Sequence, residues 1–96
     1  MSRSLLERRL TEVADRLREL RSELAVADDQ LAHLADAADE TRLRALVSET
    51  PIAEREHRDA QRHADAMLRH QVDVRSSIER LERTQDELLD RLIAQR

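Results

Sequence analysis

Apolar residues recur along the first half of the chain in alternating steps of four and three: Leu6, Leu10, Val13, Leu17, Leu20, Leu24, Ala27, Leu31, Leu34 and Ala38. This is a heptad seam with Leu10, Leu17, Leu24, Leu31 and Ala38 at position a and the others at d. The second half repeats it as Ala60, Ala64, Met67, Gln71, Val74, Ile78, Leu81, Gln85, Leu88 and Leu92. A period of 3.5 residues predicts a left-handed supercoil. Between the halves lies Val47-Ser48-Glu49-Thr50-Pro51-Ile52, which contains the only proline. Proline blocks the helix before it and suits the first turn of the helix after it. Ser48 or Thr50 can cap that second helix. The pattern predicts an all-α fold in a single domain over 1–96: a helix over about 3–47, a turn over about 48–51 and a helix over about 51–95. Each arm is ~66 Å long at the α-helical rise.

Folding the arms antiparallel about Glu49 pairs residues whose numbers sum to 98. Leu10 then meets Leu88, Leu17 meets Leu81, Leu20 meets Ile78, Leu24 meets Val74 and Leu31 meets Met67. Every a position meets a d position, as an antiparallel coiled coil requires. Two features are irregular. After Ala38 the next large apolar residues, Leu43, Leu46, Val47 and Ile52, are out of phase, which predicts a kinked tip or a short extra helix. Gln71 and Gln85 occupy a positions, where buried amides cost stability and fix register.

A two-helix seam buries only a narrow stripe on each helix, and small cores rarely supply more than ~3–5 kcal/mol. A homodimer, as a four-helix arrangement, is therefore expected. Leu68 and Leu89 at e, Val72 and Ile93 at b, and Leu5 at the open end lie off the seam and are candidate partner contacts. The flanking positions place Arg21 opposite Arg75 and Arg9 opposite Arg91. Like charges there point to an acidic partner or an anionic ligand.

Composition narrows the function. The 96 residues include no Gly, Cys, Phe, Trp or Tyr, and 40% are charged. That excludes glycine-loop phosphate sites, disulfide scaffolds and cysteine zinc sites, and it matches long-helix proteins. Seventeen Arg without Lys fit the GC-rich codons of a high-GC bacterium. The net charge of −4 argues against general nucleic-acid binding, which rests on phosphate neutralisation. No apolar run approaches the ~18 residues of a membrane span. With no apolar leader segment and no cysteine, the cytoplasm is the expected compartment. Residues 23–40 hold six acids and no Arg, a solvated face expected to pair with the Arg-bearing second half.

Candidate chemistry is sparse. Glu54-Arg55-Glu56-His57 has the Glu-x-x-His spacing of di-iron bundles, which need two such motifs and further inward carboxylates. One copy predicts no metal site. His57 falls on the extended seam opposite Thr41, as a polar layer near the tip. His63 and His70 lie at g as solvated side chains. No nucleophile stands beside a base. The chain is expected to be non-enzymatic and cofactor-free, a coiled-coil protein–protein interaction or adaptor protein.

The alternative is a bacterial transcription regulator that binds RNA polymerase or a sigma factor. The hairpin with Asp39, Glu40, Glu49 and Glu54 near its tip resembles, in topology, the secondary-channel factors of RNA polymerase. Those carry tip acids that reach the catalytic Mg²⁺, and the resemblance implies that role for these four. Asp73, Ser77 and Arg80 are similar to part of the Glu-x3-Ser-x2-Arg-x3-Gln-x3-Asp pattern of second-messenger-binding anti-sigma hairpins; Thr84 and Leu88 depart from it. That likeness implies an anionic nucleotide held by arginines through charge-assisted hydrogen bonds.

Overall fold

The computed structural model describes residues 2–95. Two helices form a helical hairpin: α1, Arg3–Ser48, and α2, Pro51–Ala94. Both boundaries carry their chemical signals. Ser2 caps α1, its hydroxyl accepting from the Leu5 amide at 3.1 Å. Thr50 caps α2, its hydroxyl accepting from the Ala53 amide at 3.2 Å, with Pro51 as the first helical residue.

Between the helices Glu49 has φ of 53°, the left-handed region. Its amide donates to the Ala45 carbonyl at 3.0 Å, the five-to-one bond of a left-handed C-terminal cap. Glycine usually takes that place, and a residue bearing a Cβ there costs ~1–2 kcal/mol. Residue 49 is also the midpoint of every pair that sums to 98. The turn geometry and the heptad register therefore agree on one centre.

The seam does not break after Ala38. Thr41 and Ala45 continue it in α1, and Ala53 and His57 extend it back in α2; all four are buried or half-buried. The tip contains no extra helix, because α1 continues to Ser48. Leu43, Leu46, Val47 and Ile52 are exposed and play no part in the seam. Their hydrophobicity suggested a phase break, but side-chain size at the seam drops at the tip while the phase persists.

Two compact units divide the hairpin, each with a segment of both helices. The first comprises 2–24 and 73–95. There Leu6, Val13, Leu17, Leu20, Val74, Ile78 and Leu88 form one buried cluster, with Leu10, Leu24, Leu81 and Leu92 packed against it. The second is Ala25–Val72, which contains the turn. Its fully buried apolar residues are all alanines: Ala27, Ala38, Ala53 and Ala64. Here Thr41 Oγ1 lies 3.5 Å from His57 Nδ1, the layer expected from the extended register. Arg44 and Glu56 approach to 3.4 Å across the same pair of helices.

Candidate functional site

Heptad position decides which side chains remain for a partner. Leu68 and Val72 are 47% and 52% exposed, and Leu89 and Ile93 are 42% and 60% exposed. Leu5 is exposed as well. These are the large apolar side chains expected off the seam. Sequence reasoning missed a second exposed group at the turn: Leu43, Leu46, Val47 and Ile52, from 60% to 86% exposed. Reading them as displaced seam residues hid their exposure, although their b, c and f positions were legible from the phase set upstream.

The arginine pairs separate into two cases. Arg21 does not stand unmatched against Arg75: it pairs with Glu82 at 3.7 Å. Arg75 also has a partner of its own. A long guanidinium reaches along the groove to Glu82, the next e position after Arg75, so strict opposition of e positions overstates the repulsion. Arg9 and Arg91 are exposed, and among the described residues neither has an ion-pair partner. A shallow groove in the first unit instead brings together Arg16, Arg80, Ser77 and Thr84, with Leu20 and Leu81 at its floor. Arg16 is matched by Glu19 and Arg80 donates to the Ser77 hydroxyl, so both guanidinium groups already have partners.

The two seam amides are half-buried. Gln71 donates its amide hydrogen to Asp28 across the second unit, which meets part of its polar demand. Gln85 is half-exposed to water. No buried side-chain nitrogen or oxygen among the described residues lacks a partner, so a polar seam position costs little here.

The expected pairing of the acidic stretch 23–40 with the second half is partial. Glu23 and Asp28 have partners. Asp29, Asp36, Asp39 and Glu40 are exposed, with no ion pair among the described residues. Glu49 and Glu54 are exposed beside the turn. All ten acids of Ala25–Val72 stand against six arginines, while the rest of the chain balances at eleven of each. The net charge of the protein is thus concentrated in the second unit.

Among the described residues no three His, Asp or Glu side chains gather as a metal-binding group, and no helix is long and apolar enough to cross a membrane. The depressions are open grooves, and a small one is lined by Ala35, Ala38, Ala64, Asp39, Asp65 and Leu68. No family model matches the chain, and no curated protein or solved structure is significantly similar to it.

Proposed function

We propose that the chain is a cytoplasmic, non-enzymatic interaction protein that works by helix-face recognition and self-associates as a homodimer. The observation that carries this reading is the placement of Leu68, Val72, Leu89 and Ile93. Each is large, apolar and exposed, in two pairs at helical spacing along α2. Helix-in-groove recognition uses such anchors at helical spacing. Arg9 and Arg91, which have no ion-pair partner among the described residues, would bias the choice toward an acidic surface. Shallow grooves and the absence of a buried polar side chain among the described residues favour binding over catalysis.

The test is Leu68→Glu combined with Leu89→Glu. Light scattering coupled to size-exclusion chromatography should show loss of the dimer, and a pull-down should lose the bound partner. If mass and partner capture both stay unchanged, the anchor assignment is wrong.

A second reading rests on the turn, where Leu43, Leu46, Val47 and Ile52 are exposed near Asp39, Glu40, Glu49 and Glu54. An apolar tip ringed by acids suits insertion into a partner's channel, as a regulator of RNA polymerase or of a sigma factor would require. Co-purification with either, abolished by Glu49→Ala or by Asp39→Ala with Glu40→Ala, would support it. Their absence would eliminate it.

A further inference from the structure

The Ala25–Val72 unit carries complementary features on one face. At heptad positions e and b, α1 presents Ala25, Ala32, Ala35 and Asp39, and α2 presents Arg58, Asp65, Leu68 and Val72; Asp28, Arg42 and Glu54 share this face. Hollows on one helix thus accompany knobs on the other. Asp39 lines the alanine groove and is exposed. Arg58 is exposed too, and among the described residues neither it nor Asp39 has an ion-pair partner.

We infer that this face binds a second copy of the chain about a two-fold axis parallel to the helices. The inference rests on the self-association proposed above and names the surfaces that meet. A rotation about such an axis keeps each residue at its own height and lays α1 of one copy on α2 of the other. Facing b positions then sum to 97. Asp39 meets the partner's Arg58, and Ala25 meets the partner's Val72. Ala32 meets the partner's Asp65 and lies beside the partner's Leu68, where the single methyl leaves room for both side chains. Each contact occurs twice by symmetry.

The charges of the 39–58 layer distinguish this arrangement from its rivals. A two-fold axis perpendicular to the helices would lay the acidic α1 on itself. The opposite face, at g and c, would bring Glu40 against the partner's Asp59. Like charges juxtaposed at an interface are strongly unfavourable. The alanine-rich seam gives the unit a further reason to be covered, since it buries little apolar surface of its own.

The test uses the full chain with Asp39→Arg and Arg58→Asp as separate variants, and follows mass by light scattering over a dilution series. Circular dichroism checks that each variant keeps its helix content. Wild type should dimerise, and each variant alone should associate about tenfold more weakly or worse, because it opposes like charges twice. An equimolar mixture of the two should recover near wild-type association as a heterodimer, since both of its 39–58 contacts are opposite in sign. Rescue by mixing requires contact between chains, so a pair within one chain cannot mimic it. A wild-type monomer at every concentration would overturn both the inference and the homodimer. A wild-type dimer that ignores both substitutions, or variants that mixing fails to rescue, would overturn the inference and leave self-association standing.

Discussion

Residues 2–24 and 73–95 fill their seam with large apolar side chains, whereas Ala25–Val72 fills the same register chiefly with alanine. In the first unit eleven of twelve seam positions are Leu, Ile or Val, and Gln85 is the exception. In the second unit only Leu31, Leu34 and Met67 are large; six positions are alanine, and Gln71, Thr41 and His57 are polar. Periodicity keeps the pairing constant, so the difference lies in burial energy and not in geometry. At ~25 cal/mol per Å² of apolar surface, an alanine layer contributes a small fraction of a leucine layer. One unit holds itself together. The other has less core, and the candidate acids Asp39, Glu40, Glu49 and Glu54 and the exposed apolar residues of the turn all lie there, whereas Leu5, Leu89 and Ile93 belong to the first unit.

Core truncation should break the comparison most visibly. Leu17 is 1% exposed in the first unit. Leu17→Ala should cost about 2–5 kcal/mol, read from the shift in a chemical denaturation midpoint. Leu34→Ala removes a half-buried side chain from the second unit and should cost about 1–2 kcal/mol. Equal losses would mean that the two seams contribute alike.

The turn offers finer control of the weaker unit. Thr50→Ala deletes the cap of α2 and should lower stability by ~1 kcal/mol. Glu49→Gly should raise it by about 0.5–1 kcal/mol, because the relief of the left-handed strain exceeds the added freedom of glycine in the unfolded chain. Both effects should appear in amide protection of Ala25–Val72 more than in the first unit. The smallest effect is expected from Arg21→Ala. It breaks an ion pair whose side chains are more than half exposed and about half exposed, and should change the melting free energy by less than ~0.5 kcal/mol. A larger loss would show that the first unit depends on charge as well as burial.

The hairpin, its register and the N-terminal cap of its second helix were legible in the sequence because each rests on local chemistry: a 3.5-residue period, one proline and a threonine before it; the Ser2 cap and the left-handed Glu49 were not read there. Thr41 against His57 follows from that register alone. What escaped was set by side-chain size and reach. Small residues at Thr41, Ala45 and Ala53 concealed a continuing seam, and the bulky neighbours Leu43 and Leu46 suggested a false break. Arg21 found Glu82 because a flexible guanidinium is not confined to the residue directly opposite. Off-seam leucines were identifiable by phase, whereas the complementarity of Asp39 with Arg58 emerges only when two copies are placed about an axis.

Hydrogen exchange by mass spectrometry, followed over a dilution series, tests the central contrast most directly. At the lowest concentration, amides of Ala25–Val72 should exchange through cheaper openings than those of 2–24 and 73–95, which should stay protected at every concentration. Equal protection of the two units at that dilution would contradict the account.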